Sequence, residues 1–159
     1  MAVMNVTAGN KAVLTLSNVS LAGANPGAAN GLEVPFMQDI TVNASTGVVR
    51  YKTLDSSSEK AFTTPSTNQI SLNCLVDEDV FFGTANTDNS VVNDGLFGTQ
   101  NNKTTVFFSV AFEGTGSGST FIKGQGFISG LAPTASQDAA VFITPMTIEV
   151  DGDLTKDTV

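Results

Sequence analysis

The chain has 159 residues, 41% of them hydrophobic, which is enough for one sizeable core, so we expect one domain over residues 1–159. Only 14% of the residues are charged, a low share for a domain surrounded by water, and we expect another surface to cover part of it. A formal charge of −8 has the wrong sign for holding nucleic acid through its phosphates, which disfavours static DNA or RNA binding.

The first half of the chain is predicted to be rich in β-strands. Short runs of strand-favouring residues alternate with polar, turn-favouring residues. A turn-like segment over residues 43–47 is predicted to join two of these strands. The predicted strands cover residues 12–16, 32–36, 40–42 and 48–52.

A polar stretch follows over residues 54–68 and includes three consecutive serines. It has too few apolar residues to belong to the core and is too long for a tight turn. We therefore predict a long polar loop over residues 54–68 that becomes ordered on contact with a partner.

Alternation with a period of two is clearest in the middle and last third of the chain. One predicted half-buried face carries Ile70, Leu72, Cys74 and Val76, and a second carries Val106, Phe108, Val110 and Phe112. The glycine-rich segment 113–120 predicts a hairpin to a return strand over residues 121–129. After a break at 130–137, a further strand is predicted over 139–150, bent where Pro145 lacks an N–H group.

One short helix is predicted over residues 88–100. Val91, Val92, Leu96 and Phe97 recur there at mixed spacings, and nearby glycine and asparagine weaken the pattern. The strands of the last third are predicted to form a meander of consecutive antiparallel strands. The elements together predict an all-β fold class with one short helix.

The chain has no histidine, which removes most familiar catalytic and metal-binding arrangements. A Ser-His-Asp triad, a Cys-His pair, a histidine-ligated zinc site and a histidine general base all require that side chain. The single cysteine, Cys74, excludes an intrachain disulfide, and its alternation with apolar neighbours predicts a core thiol. Residues 1–11 lack the features of a signal peptide and no apolar run is long enough to span a bilayer, which predicts synthesis in a cytoplasm.

Carboxylates remain the only candidates for acid-base chemistry. A glycosidase needs two of them, and the candidates are Asp77, Glu78, Asp79, Asp138, Glu149, Asp151 and Asp153. None of the oxygen-rich segments has the spacing of a calcium-binding loop. The sequence Gly124-Gln125-Gly126 lacks the third glycine and the following helix of a phosphate-binding loop, so these glycines are predicted to allow close approach of another strand or backbone. We predict no enzyme activity, no catalytic residue, no cofactor and no metal.

The last third of the chain resembles the major tail tube proteins of long-tailed bacteriophages, of the siphovirus and myovirus kind. Residues 121–138 match the family's strand ending in Gly-x-Gly-aromatic-Ile-Ser/Thr and its small-residue corner with an aspartate, and residues 139–154 match a strand closing near Gly-x-Leu. Upstream, strands over 69–76 and 104–112 with a short helical segment between them follow the family's order, so the resemblance covers about residues 69–154. The matching positions are Gly124, Gly126, Phe127, Ile128, Ser129, Asp138, Gly152 and Leu154.

The resemblance implies an antiparallel β-sandwich or barrel with one flanking helix, and a structural role in the virion. Subunits of this family form rings, typically hexameric, that stack into a tube through which DNA is ejected. It implies as partners the protein itself and the tape measure, terminator and baseplate proteins, with DNA passing through the lumen without specific binding and with no membrane. Assembly would take place in the bacterial host cytoplasm. By position, the loop at 54–68 and an N-terminal arm at 1–11 resemble the segments that link neighbouring rings.

Two other classes of function stay open at the level of sequence. The first is a different phage structural protein (a tail terminator, baseplate ring or capsid decoration protein) or a carbohydrate-binding β-sandwich, which would form a discrete oligomer or bind a ligand without polymerising. The second is a carboxylate-based glycosidase, whose activity would be lost on neutralising one acidic residue.

Overall fold

The computed structural model describes residues 11–20, 31–86, 88–114, 116–135 and 142–158. Nearly all of the predicted N-terminal arm, the candidate carboxylate Asp138 and the beginning of the strand predicted over 139–150 lie outside these ranges.

Antiparallel strands and two helices make up the described part of the chain, in agreement with the predicted all-β class. The strands form a sheet in the order β2-β1-β5-β6-β7-β4-β3, and β8 pairs with β6 beside this path. The elements are β1 (Val13–Ser17), β2 (Leu32–Glu33), β3 (Met37–Tyr51), β4 (Lys60–Leu75), α1 (Glu78–Phe82), α2 (Ser90–Asn101), β5 (Val106–Ala111), β6 (Thr120–Leu131), β7 (Ile143–Val150) and β8 (Thr155–Thr158).

A single hydrophobic core joins both ends of the strand order. Leu14 and Leu16 of β1 are fully buried in the same cluster as Ile70 of β4 and Phe108 of β5. Ile40, on β3 at the far end of the order, packs against this cluster as well. Because β1 and β3 are not neighbours in the sheet, the sheet must curve around the core for both to contribute to it. The alternating faces predicted for β4 and β5 are buried in it, but β5 is not half-buried as predicted, because Ser109 on its opposite face is fully buried as well.

β7 and β8 pair with successive parts of the same edge of β6. β7 covers Gly126–Leu131 and β8 covers Thr120–Lys123. Between them the chain leaves the ladder at Gly152, whose φ of 92° suits glycine. The Asn68 side chain donates to the Gly152 carbonyl over 3.2 Å, at the point where β4 stops pairing with β7.

The described residues form two helices where one was predicted. α2 agrees closely with the predicted helix over 88–100, and its N-cap Asn89 accepts a hydrogen bond from Val91 N over 3.1 Å. α1 was missed because five residues are too few for a helical period to show, and it is held by burial of Phe81 and by its cap. Gly95 interrupts α2 with a φ of 64°, and a Cβ there would lie 2.3 Å from Gly83 N, so glycine permits the two helices to approach.

Two predictions for the first half of the chain were wrong. The segment 43–47 is not a turn, because β3 continues through it as far as Tyr51. The stretch 54–68 is not one long loop, because β4 begins at Lys60 and pairs with β3, which leaves only residues 52–59 as the connection. These strand segments are exposed on both faces, so neither carries the apolar alternation that marks a half-buried strand.

Candidate functional site

Three of the candidate carboxylates, Asp77, Glu149 and Asp151, accept hydrogen bonds from neighbouring groups of the subunit, and Asp151 and Asp153 line one open pocket beside β6. Asp77 accepts from Val80 N over 3.2 Å as the N-cap of α1. Glu149 accepts from the Gln69 side chain over 2.6 Å. In the ranges that the structure describes, no three Cys, Asp or Glu residues are placed to share a metal ion.

Cys74 is a core thiol, as predicted. Its side chain is 1% exposed, and its Sγ lies 3.8 Å from the Thr144 carbonyl oxygen. Burial raises the pKa of the thiol to about 11. The reactive thiolate is therefore scarce at neutral pH, and the residue serves packing.

Of the three glycines of β6, Gly124 and Gly126 were predicted to allow close approach of another strand or backbone, and the structure confirms this for Gly126. A Cβ on Gly126 would lie 2.1 Å from the Glu149 carbonyl oxygen, so β7 occupies the space that a side chain would need. A Cβ on Gly124 would lie 2.7 Å from the ring of Phe108, so here the neighbour is a core side chain rather than a strand. Both positions belong to the sheet and its core, and neither binds phosphate.

The most exposed part of the sheet is a two-stranded ribbon formed by the distal halves of β3 and β4, residues 45–67. It begins where β7 stops pairing with β4, after Gln69. Residues 45–51 of β3 alone extend it by about 20 Å at about 3.3 Å per residue. The ladder is irregular around Gly47, and Pro65, which has no N–H to donate, lies in this irregular part.

One face of the ribbon carries an apolar group that the subunit leaves exposed. Val49 and Phe62 are directly opposite each other, and the rings of Tyr51 and Phe62 lie 6.0 Å apart. These three side chains are 42%, 53% and 45% exposed, in the order Val49, Phe62 and Tyr51. A two-stranded hairpin alone in water is marginally stable, so a surface that covers this face would stabilise it. The sequence prediction missed Phe62 because it lies within the supposed loop.

The ribbon also holds three of the chain's seven basic residues, Arg50, Lys52 and Lys60. Two acidic residues, Asp55 and Glu59, lie near them in sequence. The Arg50–Glu59 ion pair is 3.8 Å long and its side chains are exposed, so water screens it strongly. The ribbon thus has a net charge of +1 on a chain whose total is −8.

Unpaired sheet edges flank this ribbon. β3 is the last strand in the order, and its outer edge has no partner strand among the described residues. The outer edge of β4 is likewise unpaired before Gln69 in this part of the chain. Such edges present rows of backbone N–H and C=O groups that another strand can bind.

No protein-family model matches the sequence. No curated protein matches it either. None of the helices in the described ranges is both long enough and apolar enough to cross a membrane.

Solved structures similar to this fold come from tails and injection machines. The tail of an empty gene transfer agent particle, refined with C6 symmetry, is similar at 11% identity with a TM-score of 0.66, over 96% of this chain and 100% of that one. The SPP1 tail tube is similar at 10% identity with a TM-score of 0.66, over 97% of this chain and 80% of that one. A chain of the sheath-tube complex of an extracellular contractile injection system is similar at 12% identity with a TM-score of 0.59, over 94% of this chain and 89% of that one. The chain therefore has the tail-tube type of β fold.

Proposed function

We propose that this chain is the structural subunit of a phage-type tail tube. Copies join edge to edge into rings, the rings stack, and the tube encloses a channel through which DNA is ejected. The observation that carries the proposal is the likeness of fold, which extends over nearly the whole of this chain and the whole of the gene transfer agent tail chain. The C6 symmetry of that tail supports a hexameric ring here.

The exposed edges and the ribbon support self-assembly as the mode of action. Ring formation would pair the outer edge of β3 with a strand of a neighbouring copy, which supplies the missing backbone hydrogen bonds. Such a head-to-tail contact produces a closed ring when the rotation that relates neighbouring copies is a whole-number fraction of a full turn. Residues 1–159 would act as one tube domain, with residues 1–11 as an arm that joins neighbouring rings.

The acidic character of the chain suits a channel for DNA. Carboxylates that face the lumen would repel phosphates and lower the friction of passage, and the formal charge of −8 is consistent with this. DNA would pass without specific binding, and the subunit would need no catalytic group. The further partners would be the tape measure, terminator and baseplate proteins of a virion assembled in the host cytoplasm.

Negative-stain electron microscopy of the purified protein tests the proposal. We expect hollow tubes, or six-fold rings at lower concentration, together with a mass that rises with concentration in light scattering. Rings that never stack would indicate a terminator or baseplate ring instead. A protein that stays monomeric at high concentration would overturn the proposal.

A further inference from the structure

The connection between β7 and β8 contains an aspartate followed by a glycine, Asp151 and Gly152, and both residues are exposed. The connection lies between the last pair of the β6–β7 ladder and the first pair of the β6–β8 ladder. Chain neighbours apart, no atom lies within 4 Å of the position that a Cβ on Gly152 would take, and the Gly152 N–H donates no hydrogen bond to another described residue. The Gly152 nitrogen is therefore neither enclosed nor held in a ladder.

An aspartate followed by a glycine can rearrange without an enzyme. The glycine nitrogen attacks the carboxyl carbon of the aspartate side chain, a C–N bond forms, and a carboxyl oxygen leaves as water with the amide proton. The product is a five-membered succinimide ring. Water then opens the ring, and opening at the main-chain carbonyl gives isoaspartate, in which the chain runs through the side chain. One water is released and one is taken up, so the mass is unchanged.

A second pair of this kind, Asp94 and Gly95 in α2, offers an internal comparison. The Asp94 carboxylate accepts hydrogen bonds from the side chains of Asn93 over 3.1 Å and Asn102 over 3.2 Å. Gly95 is buried against α1, and a Cβ on it would lie 2.3 Å from Gly83 N. Ring closure there would have to break both hydrogen bonds and rotate a backbone that the neighbouring helix encloses.

We propose that Asp151 and Gly152 form a site of spontaneous isoaspartate formation in the folded protein, whereas Asp94 is protected. The Asp151 carboxylate accepts one side-chain hydrogen bond among the described residues, from Gln125 over 3.3 Å, which is long for such a bond. Glycine also obstructs the approach to the carboxyl carbon least, because it has no side chain. The proposal concerns the covalent chemistry of the subunit and does not depend on the tube role.

The rearrangement would fall between two anchors of the chain. Before it, Asp151 N donates to the Gln125 carbonyl over 2.8 Å, and after it the Gly152 carbonyl accepts from the Asn68 side chain over 3.2 Å. Isoaspartate adds one carbon atom to the main chain between these anchors. β8 follows directly and is held to β6 through residues 155–158 alone. We therefore expect the modified chain to lose the Asn68 hydrogen bond and to pair β8 less firmly.

Incubation of the folded protein at 37 °C and pH 6, followed by peptide mapping, tests the site. Mild acid favours the reaction because a protonated carboxyl group loses water more readily than a carboxylate. Trypsin cleaves after lysine and arginine, which places Asp94 in the peptide 61–103 and Asp151 in the peptide 124–156. Isoaspartate in each peptide is measured by methyl transfer from S-adenosylmethionine with an isoaspartate methyltransferase. We expect at least ten-fold more at Asp151 than at Asp94.

Three comparisons show whether the fold sets this difference. In protein unfolded with guanidinium chloride, the two sites should react within about three-fold of each other, because the fold then protects neither. Asp151→Glu should abolish the signal in the peptide 124–156, since glutamate would have to close a six-membered ring. Asp94→Glu is the matched control and should leave that signal unchanged. Both variants keep the charge, and urea unfolding checks that they fold as wild type does.

The outcomes separate the site from its effect on β8. Equal amounts of isoaspartate at the two positions of the folded wild-type protein, or none at either, would overturn the proposal whatever the variants do. Ten-fold more at Asp151, with faster hydrogen exchange of the β8 amides in the modified fraction, would support both the site and its effect. The same excess with unchanged exchange would support the site and overturn the effect on β8.

Discussion

Gly126 is the position where one added methyl group is expected to disturb the sheet most. In Gly126→Ala the new Cβ would lie 2.1 Å from the Glu149 carbonyl oxygen and 3.2 Å from Val150 Cα. Contact between non-bonded heavy atoms is favourable only from about 3.5 Å, so β6 and β7 must separate by roughly 1.4 Å. The obstructing atoms are backbone and cannot rotate away. We expect a loss near the upper end of overpacking costs, about 3 kcal/mol of unfolding free energy.

Urea and thermal unfolding of the dilute, unassembled protein measure this loss. For a chain of this size, about 3 kcal/mol corresponds to a fall of about 6–12 °C in Tm. Gly130→Ala is the matched control on the same strand, because its Cβ would make ordinary contacts of 3.5 Å with the Thr147 side chain. We expect it to leave stability unchanged or raise it by up to about 1 kcal/mol. Equal midpoints for Gly126→Ala and wild type, or an equal fall in the control, would refute the steric reasoning.

Three further predictions concern the core and the last strand. Phe108→Ala removes a fully buried ring and should cost about 3–5 kcal/mol in urea unfolding; a cost below about 1 kcal/mol would contradict its place in the core. Burial raises the pKa of Cys74 from its ordinary value of 9.0 to about 11, so the native thiol should resist a thiol reagent at pH 8, and stability should fall as pH rises from about 9 to 11. Cys74→Ala should lack this part of the pH dependence. The hydrogen bond from Lys123 lowers the pKa of Asp157 in the folded protein. The stability that this pair contributes is therefore complete above the pKa that Asp157 has in the unfolded chain, and it is lost as pH falls through the lower pKa of the folded protein. Asp157→Asn should speed hydrogen exchange of the β8 amides with little change in global unfolding, and unchanged exchange would show that this pair does not hold β8.

The strands that surround the core could be predicted because burial leaves a mark in the sequence. Ile70, Leu72 and Cys74 alternate with polar residues since one face of β4 is buried there. β5 was predicted as a strand from Phe108 and Val110, but Ser109 on its opposite face is buried as well. The glycines of β6 also indicated close approach correctly, although the sequence did not show that the neighbour of Gly124 is a ring.

The ribbon could not be predicted because it lies outside the core. Asn43 and Gly47 favour turns locally, yet β3 runs through both, since pairing with β4 outweighs local preference. Phe62 is isolated among polar residues in sequence, and only the register places it opposite Val49. The exposed side chains of Phe36 and Phe142, at the other end of the sheet, are equally hidden in the sequence, because they lie more than 100 residues apart.

The irregular ladder around Gly47 bears on how the subunit survives before it finds a partner. A long, regular and exposed edge would be a template for uncontrolled pairing and aggregation. The register shift at Gly47, the missing N–H of Pro65 and the lysines near the tip each make the ribbon a poorer template for an unrelated strand. In the assembly proposed above, the free subunit would thereby be protected from pairing with the wrong chain between its synthesis and its incorporation into a ring.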